Sequence, residues 1–141
     1  MRLAVIGSTN GTDLVPIVDA INSGELLASV EVVISNNELS GILKKAGSYG
    51  IEGHFICHKN KKRDVFDLEM SQILESKKID LILLIGFMRI LSSGFVERWR
   101  GKIINVHPSL LPKYAGGMNN SVHESVLAAG DKESGCTIHL V

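Results

Sequence analysis

The feature that most constrains this chain is the rhythm of its apolar residues. Short, mostly apolar runs at 3–6, 30–35, 54–57 and 80–85, the first of them continuous, alternate with longer stretches whose apolar residues recur at helical spacing. A continuous apolar run of that length is the pattern of a strand buried on both faces. After the first run, Leu14, Ile17, Val18 and Ile21 recur as one face of a helix, and Gly24 sits where a helix commonly ends. Further helices are predicted over 39–49, closed by Gly50, and over 64–77, with Val65, Leu68, Ile73 and Leu74 as most of the apolar stripe. Strands and helices alternating in this way predict an α/β domain with a largely parallel sheet. The run Leu81-Ile82-Leu83-Leu84-Ile85 is the most apolar, which places it centrally.

Between the first strand and its helix lies Gly7-Ser8-Thr9-Asn10-Gly11-Thr12-Asp13. A glycine-bearing turn into a helix has two readings of about equal weight. It can be an ordinary connection with Thr12 or Asp13 as N-cap, or exposed N–H groups at the helix start can hold an anion, most often phosphate. The spacing is neither GxGxxG nor a Walker loop, which argues against a dinucleotide or a nucleoside triphosphate. Beyond the fourth run, Phe87, Met88, Ile90 and Leu91 follow Gly86, and a short helix is predicted near 95–99. That connection is either tucked against its own helix or one wall of an apolar ligand slot.

The stretch Ile103-Ile104-Asn105-Val106-His107-Pro108-Ser109-Leu110-Leu111-Pro112-Lys113-Tyr114 begins as a β-branched strand. Residues two apart on a strand share a face, so Asn105 and His107 should project together. Pro108 lacks a backbone donor and should end the strand, leaving His107 at its carboxyl end, where open α/β sheets bind ligands. A strand-end histidine more commonly hydrogen-bonds nearby backbone; the paired amide is what raises its standing as a catalytic group. A helix is predicted over 122–129, ending at Gly130, and a final strand over 136–141.

Composition excludes several classes. The 141 residues are one domain's worth of chain, 45% hydrophobic, with fifteen basic residues against fifteen acidic ones. Zero net charge gives no electrostatic footprint for nucleic acid, and the cluster Lys59-Asn60-Lys61-Lys62-Arg63 reads as a solvated loop. Cys57 and Cys136 are far apart and read as reduced core residues. His54 and His58 flank a short predicted strand, no HExxH motif suggests a metal, and no GxSxG turn suggests a hydrolytic serine. The amino-terminal apolar run is too short for a signal peptide or a membrane span, so a cytoplasmic location is expected.

The block Asn105-Val106-His107-Pro108-Ser109-Leu110-Leu111-Pro112-Lys113-Tyr114 resembles the signature of the folate-dependent formyltransferases, in particular the branch that formylates glycinamide ribonucleotide in purine synthesis. Gly11-Thr12-Asp13-Leu14, Arg63, Gly86-Phe87-Met88-Arg89-Ile90-Leu91 and Glu133-Ser134-Gly135-Cys136-Thr137-Ile138-His139 extend the likeness along the chain. The resemblance implies a Rossmann-like fold with helices on both faces of the sheet. It also implies formyl transfer from 10-formyltetrahydrofolate to the amine of glycinamide ribonucleotide, without a metal. By the same comparison Gly11, Thr12 and Asp13 hold the substrate phosphate, and Arg63, Met88, Arg89, Ile90, Leu91 and Asn105 contact the folate. Asn105 and His107 match the catalytic pair. Implied partners are small molecules alone, with no nucleic acid or membrane, in a monomer or homodimer.

Two departures from the family pattern stand out. Asp13 replaces the usual Asn, and a carboxylate beside a bound phosphate is repulsive unless it turns away or caps the helix. Family members also continue well past the position of Val141, with a catalytic Asp shortly after it. Residues 1–141 are therefore expected to be a truncated formyltransferase domain lacking the C-terminal part, with slow or no turnover. The rivals are a formyltetrahydrofolate hydrolase, against which Pro108 and the glycine turn argue, and a catalytically silent nucleotide- or folate-binding module. A methionyl-tRNA formyltransferase is the weakest, since no basic face or second domain is visible.

Overall fold

A computed structural model describes residues 1–107 and 137–141, with backbone alone for His107 and for 137–140. Its strands are β1 (Arg2–Ile6), β2 (Ser29–Ser35), β3 (Gly53–Phe55), β4 (Leu81–Ile85), β5 (Ile103–His107) and β6 (Thr137–Leu140). Its helices are α1 (Leu14–Asn22), α2 (Gly41–Ser48), α3 (Arg63–Ser76) and α4 (Ser93–Arg98). The strands form one sheet in the order β3-β2-β1-β4-β5-β6. The first five are parallel and β6 runs antiparallel on β5. The expected largely parallel α/β sheet is what forms, and β4 lies beside β1 at its centre.

The continuous apolar runs are explained by the two cores they feed. Ala4, Ile6, Val32, Ile34, Ile82, Leu84 and Ile103 point to one face, where Phe66, Met70 and Leu74 of α3 and Phe95 of α4 cover them. Leu3, Val5, Val33, Leu83, Ile85 and Val106 point to the other, beneath Leu14 and Val18 of α1 and Ile42 and Ala46 of α2. Each strand alternates between the cores with the period of two that the pleat imposes. Full burial of a large aliphatic or aromatic side chain contributes about 1.5–3 kcal/mol, so the doubly covered central strands dominate the stability.

Some local expectations need correction. On α3 the buried stripe is Phe66, Met70 and Leu74, spaced by four, whereas Val65 and Leu68 are 47% and 49% exposed. The stripe was misplaced because Asp67 and Ser71 lie on the buried face. Both are hydrogen-bonded there: Asp67 Oδ2 accepts from Ser92 N at 2.6 Å, and Ser71 Oγ accepts from Trp99 Nε1 at 3.1 Å. A buried polar group is tolerated when it has a partner, and only the neighbouring helix supplies one. α2 begins at Gly41 rather than 39, and Leu39 is exposed. Cys57 is a free thiol but half-buried rather than core. The helix predicted over 122–129 and Cys136 lie outside the described residues.

Candidate active site at the carboxyl edge of the sheet

The chain builds β1, moves outward through β2 and β3, then returns to lay β4 on the other side of β1. Successive connections therefore leave the carboxyl ends of β1 and β4 toward opposite faces of the sheet. That reversal opens a crevice, and ligands of open α/β sheets bind in it.

On the α1/α2 face the crevice is bordered by the turn after β1. Gly11 is buried with φ +65°, and a Cβ there would lie 2.4 Å from Ile42 Cγ1, so both backbone and packing require glycine. α2 supports the turn from behind: Ile42 N donates to Thr9 O at 3.0 Å, and Lys45 Nζ donates to Asn10 O at 2.8 Å. Gly41 permits this contact, since a Cβ on it would come within 2.7 Å of Asn10 Oδ1. Thr12 is exposed at the start of α1, and Asp13 is buried at the N-cap position. The Asp13 side chain makes no capping hydrogen bond, and its backbone is helical rather than extended.

On the α3/α4 face the border is the loop joining β4 to α4. Phe87 and Leu91 pack against the core of that face. The Phe87 ring stacks on Phe66 with centroids 6.5 Å apart, and the Arg89 guanidinium lies 4.7 Å from the Phe66 ring centre, within cation–π range. Met88 and Ile90 are 50% and 74% exposed, so two large apolar side chains face outward between anchored neighbours. The loop is fixed at its far end, where Ser92 N donates to Asp67 and Ser92 Oγ accepts from Phe95 N at 3.2 Å to cap α4. Arg63 is exposed at the first position of α3, one turn ahead of Phe66.

Asn105 sits on β5 opposite Leu84 of β4 and His139 of β6. It is half-buried, and it falls between Ile104 and Val106, which both pack toward the α1/α2 side. Its amide is thereby placed on the face of the β4–α4 loop. His107 ends the same unbroken strand, opposite Thr137, and the position of its ring lies outside the described atoms.

The structure thus brings Gly11, Thr12, Asp13, Met88, Arg89, Ile90, Leu91 and Asn105 to one edge of the sheet, with Arg63 on the helix beneath the loop. Sequence reasoning missed Ser8 and Asp67, which hold that loop. A charged residue among the buried positions of a helix was the available signal for Asp67; Ser8 carries none. Among the described residues no group of three or more His, Cys, Asp or Glu is arranged to hold a metal ion, and no helix is long and apolar enough to cross a membrane.

The formyl transferase family model matches residues 1–141, the whole of this sequence. This chain belongs to the formyl transferase family. A trifunctional purine biosynthetic protein of Drosophila melanogaster is 44% identical to it over 143 residues, covering 99% of this chain and 10% of that protein. The phosphoribosylglycinamide formyltransferase of Haemophilus influenzae is 40% identical over 141 residues, covering 99% of this chain and 65% of that protein. The solved phosphoribosylglycinamide formyltransferase of Coxiella burnetii, in complex with CHES, superposes with a TM-score of 0.84 at 39% identity. That match covers 100% of this chain and 65% of the other. The chain spans a tenth of the fly relative and just under two thirds of the bacterial ones.

Proposed function

We propose that residues 1–141 are the formyl-transfer domain of a phosphoribosylglycinamide formyltransferase. It moves a formyl group from 10-formyltetrahydrofolate to the amine of glycinamide ribonucleotide in purine biosynthesis. The observation that carries this reading is the position of Asn105 at the carboxyl edge of the sheet, on the face of the 87–91 loop and separated from the β1 exit by β4 alone. The names of the relatives agree with it.

In this reading the Gly11-Thr12-Asp13 turn receives the ribonucleotide phosphate on its N–H groups. Met88, Arg89, Ile90 and Leu91 line the folate slot, and Arg63 reaches it from the head of α3. The substrate amine is the nucleophile and attacks the formyl carbon. The carbonyl electron pair moves to oxygen, where the Asn105 amide donates to the oxyanion more strongly than to the ground-state carbonyl. His107 carries the proton from the attacking amine to N10 of the folate. The C–N10 bond then breaks, leaving the formamide and tetrahydrofolate. An imidazole, with an ordinary pKa of about 6.5, can accept and return a proton near neutrality. No covalent enzyme intermediate and no metal is required. The enzyme works in the cytoplasm as a monomer or homodimer on small molecules, without nucleic acid or membrane.

The test is to follow tetrahydrofolate formation with the purified protein, with and without glycinamide ribonucleotide. Ribonucleotide-dependent tetrahydrofolate formation without formate release is expected of a chain extended to the length of the bacterial relatives. Formate release independent of ribonucleotide would mark a hydrolase instead. Ligand binding with no turnover, in this chain and in one extended to the length of the bacterial relatives, would mark a silent binding module.

A further inference from the structure

The two borders of the crevice are joined at one side chain. Gly7 lets the exits of β1 and β4 approach closely: a Cβ on it would lie 2.3 Å from Ile85 O, a main-chain atom that cannot give way. Ser8 N then donates to Gly86 O at 3.1 Å. The Ser8 hydroxyl accepts from Met88 N at 3.0 Å and donates to Asn36 Oδ1 at 2.6 Å. Asn36 Nδ2 lies 3.4 Å from Nδ1 of His58. Ser8 and Asn36 are both buried, so their bond is shielded from water, while the bond from Met88 N is partly shielded.

We propose that Ser8 is a positioning residue that sets the β4–α4 loop relative to the turn after β1. The inference rests on the reading of those two segments as the folate and phosphate half-sites. The two segments are held asymmetrically. The turn after β1 has supports of its own, from Ile42 N, Lys45 Nζ and the packing of Gly11 and Gly41 on α2. The stretch from Gly86 to Met88 takes its polar tie to β1 from Ser8, through backbone and hydroxyl. Removing the hydroxyl leaves Asn36 Oδ1 short of a partner in a buried setting and the Met88 N–H short of one in a partly buried setting. The loop should shift to find water, and the phosphate turn should stay.

The experiment is calorimetric titration of the protein with ribose 5-phosphate and, separately, with tetrahydrofolate, for wild type, Ser8→Ala and Ser8→Thr. Ser8→Ala is expected to weaken tetrahydrofolate about tenfold, the equivalent of one hydrogen bond. Ribose 5-phosphate should stay within about twofold, and Ser8→Thr should recover most of the loss because it restores the hydroxyl. A general structural lesion would weaken both ligands together. Equal weakening of both, or tetrahydrofolate affinity unchanged in Ser8→Ala, overturns the assignment. Should Ser8→Ala fail to fold, hydrogen exchange of the wild-type Met88 amide decides: slow exchange supports the bond, and exchange at the rate of an open loop overturns it. Failure of the wild type to bind either ligand would instead remove the formyl-transfer reading itself, and this inference with it.

Discussion

The turn after β1 and the loop after β4 leave the same edge of the sheet toward opposite faces, and they keep their shapes by different means. The first is a backbone device. Gly11 sits where a Cβ would collide with Ile42, Gly41 of α2 sits where one would collide with Asn10, and α2 holds the turn's carbonyls. The second is a side-chain device, with Phe87, Arg89 and Leu91 turned in on α3 and the core while Met88 and Ile90 are turned out. The difference matches the chemistry proposed for each. A phosphate is recognised by fixed N–H dipoles, which need backbone in one conformation. A flat aromatic cofactor is gripped by apolar surface, which side chains supply and can adjust.

The largest effect is expected where the two devices must meet. Asn105→Ala should lower the rate of formyl transfer about 10²–10³-fold, since one oxyanion donor is lost. Steady-state kinetics beside a melting curve checks this, and a variant retaining more than a tenth of the wild-type rate would detach Asn105 from the reaction. Gly11→Ala tests the backbone device: positive-φ strain and the collision with Ile42 together should cost about 2–4 kcal/mol in denaturant unfolding. Gly24→Ala is its control, because φ there is +84° with open space around it, so only strain of about 1–2 kcal/mol applies.

Asp67→Ala tests the side-chain device. It removes the acceptor of Ser92 N, and a hydrogen bond to a charged group is worth about 1.5–3 kcal/mol. Folate affinity should fall while phosphate affinity holds, and titration with each ligand would reveal the reverse if the loop were anchored otherwise. Lys45→Met should weaken phosphate binding only about two- to threefold at low ionic strength, with the difference fading in 0.5 M salt. No salt dependence would mean that Lys45 acts on the turn through its hydrogen bond rather than its charge.

The smallest effect lies away from both devices. Lys77, and after it His54, hydrogen-bonds the Glu52 carboxylate and holds its pKa below the ordinary 4.5. A folded-state pKa that is depressed adds stability above the unfolded value and loses it as pH falls through the folded one. Glu52→Gln should therefore be slightly less stable than wild type near pH 7 and equal to it once both states are protonated in acid. Because Glu52 is fully exposed the gap should be small, and a gap that widens on acidification would contradict the sign.

Much of the fold was legible from the chain alone, because a doubly covered parallel strand must be apolar at every position. The runs 3–6 and 81–85 therefore announced their own burial, and the glycine-bearing segment 7–13 announced the turn after β1. Asn105 was legible because the pleat fixes which neighbours share its face. The stripe on α3 was not. Asp67 and Ser71 look like surface residues until α4 arrives with Ser92 N and Trp99 Nε1, partners with no sequence proximity to announce them.

By itself, the order of residues determined the alternating α/β plan, the central position of β4 and the family to which the chain belongs, since periodicity and short motifs are local properties. Only the tertiary structure decided that β1 and β4 open to opposite faces and that Ser8 bridges their exits. Those facts depend on contacts between residues up to 80 positions apart, and a hydroxyl's partners are chosen by where the chain returns rather than by its neighbours along it.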